Sequence, residues 1–293
     1  MKHKASAWFL ITRPLNVVIA GLSIMLAAAL ANSFLACGTA WVAVLSGMLI
    51  TAGANVINDI CDVDIDRLNK PTRMLPAGRL SLRAAKCYTI ILFACGIFFS
   101  IFVNLPAMLI AGGSTIVVIA YSFWFKRQPL IGNFAVSLIA ALAFIFGAVA
   151  ACPETHVTSS VRALYGGRAG IFPALLAFFF HFGREIVKDI EDQIGDRSAS
   201  ARTLPLAYGL QTAQIAATAA FVFLAGIVLV PFALGYYQQP YLSIILIGIY
   251  PALAYAVFMV WRKPETKYMR RTSYILKADM LVGLAAIFLG SPR

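Results

Sequence analysis

Asn55-Val56-Ile57-Asn58-Asp59-Ile60-Cys61-Asp62-Val63-Asp64-Ile65-Asp66 closes an apolar run that starts at Ala40 and is long enough to cross a bilayer. Four aspartates and two asparagines fall where that run ends. On a helix Asp62 and Asp66, four residues apart, project from one face. Like charges at that spacing repel, and desolvation at a membrane edge adds to the cost, so a cation is expected between them.

The pattern occurs twice. Arg184 to Arg202, R-E-I-V-K-D-I-E-D-Q-I-G-D-R-S-A-S-A-R, also ends an apolar run, and Asp192 and Asp196 repeat the four-residue spacing. An R-x-L-P tail follows each cluster, Arg73 to Pro76 and Arg202 to Pro205. The aspartates are offset by 130 residues and the arginines by 129, which reads as an internal duplication of a carboxylate site.

Composition sets the class. Of 293 residues 61% are hydrophobic, mean hydropathy is +0.83 and only 12% are charged. That is more apolar surface than one soluble core buries, so an all-α, polytopic membrane protein is expected. Nine spans are predicted, near Leu15–Leu35, Ala40–Ile60, Cys87–Val103, Ala107–Trp124, Leu130–Ala151, Ile171–Val187, Ala213–Leu234, Tyr241–Trp261 and Leu276–Gly290. They make a single domain over 1–293, with pseudo-repeat halves at about 1–128 and 129–261 and a last helix at 275–290.

The +12 net charge does not point to nucleic acid, because the basic residues alternate between loops instead of forming one patch. The N-terminal segment and the loops after spans 2, 4, 6 and 8, with their flanks, hold 21 of the 24 Lys and Arg; Arg162, Arg168 and Arg293 are the rest. That bias places the N-terminus and both aspartate clusters on the cytoplasmic side of the cell membrane. The stretch Cys152–Gly170 is then the sizeable loop on the other side. Cys37, Cys61, Cys87, Cys95 and Cys152 form no CxxC pair and read as reduced, small apolar fillers.

Nine of the twelve acidic residues lie in the two clusters: Asp59, Asp62, Asp64, Asp66, Glu185, Asp189, Glu191, Asp192 and Asp196. Paired all-oxygen ligands suit Mg²⁺ or Mn²⁺ rather than zinc or copper. Magnesium is commonly held by one or two carboxylates plus substrate phosphate oxygens, so two such sets suit a diphosphate. Arg67, Arg73, Lys126, Arg127, Lys188 and Arg202 fall on the same side and would complete its neutralisation. A diphosphate above an apolar helical cavity points to an isoprenoid diphosphate. Arg262, Lys263, Arg270 and Arg271 read as orientation signals, His181 as a packing residue and Asp279 as the partner of nearby Lys277. The aromatic groups Phe178 to Phe180 and Tyr121 to Trp124 read as lipid-facing or interfacial.

On these motifs the chain resembles the UbiA superfamily of intramembrane prenyltransferases over nearly its full length. The family's N-D-x-x-D-x-x-x-D matches Asn58 to Asp66, its D-x-x-x-D matches Asp192 to Asp196, and Tyr121 to Arg127 resembles its basic segment after helix 4. The second cluster looks most like the digeranylgeranylglyceryl phosphate synthase branch, although Ser200 and Met74 depart from its common pattern and chlorophyll synthases share much of the motif. The resemblance implies about nine helices around a central cavity and two Mg²⁺ ions. Asp62 and Asp66 would hold one, supported by Asn58 and Asp59, and Asp192 and Asp196 the other, supported by Asp189. It further implies transfer of a prenyl group, geranylgeranyl in that branch, from its diphosphate to the hydroxyl of a prenylglyceryl phosphate, giving an ether lipid. Prenylation of an aromatic quinone precursor or a chlorin would use the same chemistry. An ion-coupled transporter is the alternative of another class, but transporter carboxylates usually lie mid-span rather than at span ends. No general base for the acceptor and no obligate protein partner is evident.

Overall fold

Apolar stretches of about twenty residues have one low-energy solution in a bilayer, the helix, because it satisfies its own backbone hydrogen bonds. A computed structural model of the chain describes residues 2–31, 38–151, 168–198 and 201–292, and every regular element among them is helical. The elements are α1 (Lys2–Ile11), α2 (Pro14–Ala31), α3 (Gly38–Cys61), α4 (Val63–Asn69), α5 (Leu82–Ile101), α6 (Leu105–Phe123), α7 (Ile131–Ala150), α8 (Arg168–Ser198), α9 (Leu204–Tyr208), α10 (Leu210–Ile227), α11 (Val230–Ala233), α12 (Gln239–Ile244), α13 (Tyr250–Arg262) and α14 (Thr266–Gly290). A π-helical turn, Ile245–Ile249, joins α12 to α13. Among the described residues nine helical stretches are long and apolar enough to cross a membrane. The protein is a multi-pass membrane protein.

Boundaries differ from the sequence expectation where polar residues prolong a helix beyond its apolar part. The sixth stretch runs to Ser198 instead of ending at Val187. Within it Lys188 donates to Glu185 one turn earlier at 2.6 Å, which supports the extension locally. The ninth starts at Thr266, ten residues before Leu276, and takes Arg270 and Arg271 into its first turns. Helix α5 starts at Leu82, where the Ser81 hydroxyl accepts from Ala84 N at 3.2 Å. The Cys152–Gly170 loop lies outside the described residues except for 168–170, which are helical; Cys37 and the 32–35 end of the first span also lie outside.

The chain forms two compact units, Met1–Phe125 with Leu142–Ile171, and Lys126–Ala141 with Phe172–Arg293. Small residues bring helices together in each, as expected where the lipid supplies no hydrophobic drive between helices. In the first, a Cβ on Gly147 would lie 2.1 Å from the carbonyl oxygen of Ile24, so α2 and α7 touch backbone to backbone. Ser46 Oγ also donates to Gly96 O at 2.7 Å between α3 and α5. In the second, a Cβ on Gly183 would meet the Phe221 ring at 2.5 Å. There Tyr241 is fully buried and its hydroxyl donates to Val228 O at 2.7 Å.

Candidate active site

In the first unit the carboxylates come from the end of α3 and from α4. Asp59, Asp62 and Asp66 are all buried, 3–6% exposed, although each is a carboxylate on a polar segment. Such burial needs cationic partners. Arg73 supplies one: its Nη1 donates to Asp59 Oδ1 at 3.1 Å and also to Asp66 Oδ2. Arg13 supplies the other, donating from Nη2 to the same Asp59 Oδ1. Two guanidiniums thus lie among the three carboxylates.

Local structure explains how the arginines get there. Arg13 joins α1 to α2 with φ +52°, in the left-handed region, which costs a non-glycine residue about 1 kcal/mol. Two asparagines hold that joint in place. Asn55 Nδ2 donates to Thr12 O at 2.8 Å, and Asn16 Nδ2 donates to Asn55 Oδ1 at 3.1 Å. Arg73 belongs to the first R-x-L-P tail, whose Leu75 is buried among Ile11, Ala52, Val56, Ala85 and Leu92. The leucine anchors the loop and leaves the arginine at the carboxylates. Burial raises the Asp66 pKa, with Arg73 opposing and the Asp62 charge reinforcing the rise. Burial also works against the Arg13 charge, but Asp59, Asp62 and Asp66 outweigh it and raise the Arg13 pKa.

Arg67 and Asp64 stand apart from this cluster. They pair with each other at 2.8 Å with side chains 62% and 83% exposed, a solvated pair on the outer side of α4.

In the second unit the functional residues lie along one stripe of α8. Glu185, Asp189, Asp192 and Asp196 follow one another at intervals of four, three and four, which keeps them on a single helix face. Asp189 Oδ2 accepts from Asn133 Nδ2 of α7 at 2.9 Å, and Asn133 is buried. Glu185 accepts from Arg184 Nη1 at 2.9 Å and from Lys188 Nζ at 2.6 Å. Asp196 is buried and its backbone oxygen accepts from Ala201 N at 2.9 Å. The next residue, Arg202, donates its backbone N–H to Arg127 O at 2.9 Å, which ties the second R-x-L-P tail to the Phe125–Arg127 turn beside Lys126. Leu204 is buried as Leu75 is, but the Arg202 side chain is exposed, so the duplicated tails differ in what their arginines meet.

Four residues that sequence spacing did not single out for the site therefore belong to these clusters: Arg13, Asn16, Asn133 and Arg184. Two other expectations change. Arg270, read as an orientation signal, donates from Nε to buried Glu191 at 3.1 Å, because the longer α14 carries it there. Of Phe178 to Phe180 only Phe180 packs internally, at 8% exposed; Phe178 and Phe179 are half-buried and meet the exposed rings of Phe134 at 5.2 Å and Phe223 at 4.5 Å. Phe123 and Trp124 are exposed, as expected. His181 is bonded to Ala177 O at 2.9 Å.

Among the described residues no three His, Cys, Asp or Glu side chains converge into a ready-made metal cage. Oxygen-only carboxylates, with Arg73 on Asp59 and Asp66, fit a hard cation completed by substrate phosphate, and do not fit zinc.

The UbiA prenyltransferase family matches residues 16–277. The chain belongs to that family. It is 32% identical over 285 residues to the digeranylgeranylglyceryl phosphate synthase of Methanothermobacter thermautotrophicus, covering 96% of this chain and 94% of that one. A solved structure of digeranylgeranylglyceryl phosphate synthase superposes with TM-score 0.73 at 28% identity, over 99% of both chains. A UbiA homologue from Archaeoglobus fulgidus bound to GPP and Mg²⁺ shares the fold, with TM-score 0.65, 20% identity and 96% and 99% of the chains covered. As a member of the UbiA family the protein is a prenyltransferase, which removes the transporter alternative.

Proposed function

We propose that this prenyltransferase moves a geranylgeranyl group from its diphosphate to the free hydroxyl of geranylgeranylglyceryl phosphate, forming an ether lipid. The observation that carries the reading is the buried Asp59–Asp62–Asp66 cluster with Arg13 and Arg73 at the end of an apolar helix. That arrangement suits an anionic head with a hydrocarbon tail. The matching relatives bear the synthase's name, and the Archaeoglobus homologue's bound GPP and Mg²⁺ accord with a diphosphate donor and a divalent cation.

Asp62 and Asp66, supported by Asn58 and Asp59, hold one Mg²⁺ in this reading, and Asp192 and Asp196, supported by Asp189, hold a second; Mn²⁺ would suit the same oxygen ligands. When bound, magnesium supplies positive charge that neutralises the departing diphosphate. The chain's own residues do the rest. Arg73, Lys126, Arg127, Lys188, Arg202 and the more outlying Arg67 bind phosphate oxygens, stabilising the charge that grows as the allylic C–O bond ionises. Asn133 keeps the Asp189 carboxylate oriented. Apolar helix faces exclude water, so the allylic cation meets the acceptor hydroxyl instead, whose proton passes to the released diphosphate or to an aspartate as the ether C–O bond forms. In this reading the protein lies in the cell membrane as one domain with its N-terminus and both clusters on the cytoplasmic side, an orientation the basic-residue bias supports.

The test is a transfer assay with purified protein, geranylgeranyl diphosphate and Mg²⁺, offering geranylgeranylglyceryl phosphate in one reaction and 4-hydroxybenzoate in another. Ether product in the first alone is the expected result. Product in the second alone would move the protein to an aromatic acceptor.

A further inference from the structure

Arg184 lies inside the sixth span, where an ionised side chain is costly unless it serves a partner. It has one: Nη1 donates to Glu185 Oε1 at 2.9 Å. A guanidinium has five N–H donors, and the Arg184 Nε is buried with no hydrogen-bond partner. Lys188 donates to the other oxygen of the same carboxylate at 2.6 Å. Two cations thus share one carboxylate, and Arg184 keeps donor capacity to spare at a side chain only 15% exposed.

Position along α8 separates Arg184 from Asp192 and Asp196. Arg184 precedes Asp192 by eight residues, about 12 Å along the axis, whereas Lys188 is about 6 Å from it. A diphosphate held at Asp192 and Asp196 is met first by Lys188. Arg184 lies one turn deeper in the span than Lys188.

We propose that Arg184, braced by Glu185, binds the phosphate of the prenylglyceryl phosphate acceptor and sets the preference for an acceptor that carries one. This rests on the reading of the reaction given above, in which donor and acceptor each bring one anionic group. Glu185 fixes the guanidinium and lowers the local charge enough for Arg184 to be tolerated without the ligand. The phosphate then takes the guanidinium edge that Glu185 leaves open.

The experiment compares wild type, Arg184→Gln and Arg184→Lys, purified in detergent and checked for membrane insertion and monodisperse elution. Each is assayed with geranylgeranyl diphosphate and either geranylgeranylglyceryl phosphate or its phosphate-free analogue, geranylgeranylglycerol. Loss of a charge-assisted hydrogen bond predicts that the preference for the phosphorylated acceptor, as a ratio of kcat/KM values, falls about tenfold or more in Arg184→Gln. In Arg184→Lys, which keeps the charge without the fork, the fall is smaller, and donor KM stays within about twofold in both. Equal loss on both acceptors, or a rise in donor KM with the preference unchanged, overturns the assignment. Wild-type protein that makes no ether from either acceptor overturns the proposed function itself.

Discussion

Arg73 Nη1 lies 3.1 Å from Oδ1 of Asp59, fourteen residues earlier in the chain, and the same nitrogen also reaches Asp66. One guanidinium thus ties the last turn of α3 to α4, which carries the second half of the motif. Arg13 and Arg73 thereby gather Asp59 and Asp66 at the end of α3.

Removing the shared acceptor should therefore cost stability as well as activity. Asp59→Ala takes from Arg13 its carboxylate partner and leaves Arg73 with Asp66 alone. Breaking a buried pair typically costs 3–5 kcal/mol, and since both arginines are about one quarter exposed, on the order of 2 kcal/mol is expected. Thermal unfolding in detergent should show a midpoint several degrees lower, and an unchanged midpoint would mean that the pairs contribute nothing.

Asp62→Ala and Asp192→Ala should each lower Mg²⁺-dependent transfer at least about a hundredfold while the protein still inserts into membranes. Activity is read by mass spectrometry of the product. Full activity in both variants would make the metal assignment wrong.

Asn133→Leu removes the donor that orients Asp189 without touching a carboxylate. The Mg²⁺ concentration for half-maximal rate should rise about tenfold, with most of the rate recovered at saturating metal. A rate that falls at every Mg²⁺ concentration alike would point to a packing role only.

Gly183 packs so closely on Phe221 that any side chain must push the ring away. Gly183→Ala should destabilise the second unit by about 1–3 kcal/mol. Adding Phe221→Leu should restore part of the loss, and no rescue would show that the strain lies elsewhere.

How much of this was legible beforehand differs by feature. Nine apolar stretches and both aspartate pairs stand in the linear order of residues, since bilayer thickness sets span length and the helical repeat sets which aspartates share a face. The R-x-L-P repeat was equally visible, but not that its leucine would be the anchor, nor that Arg73 would meet carboxylates while the Arg202 side chain stays exposed.

By itself, the order of residues determined the helical membrane class, the duplicated carboxylates and the chemistry they suit, because these depend on spacings of four residues or on runs of twenty. Tertiary structure alone decided the partners. Arg13 reaches Asp59 across 46 residues, Asn133 reaches Asp189 across 56 and Arg270 reaches Glu191 across 79. No local periodicity encodes such distances. Which cation neutralises a buried carboxylate is settled only when separate helices pack, since desolvation makes the nearest donor obligatory whatever its place in the chain.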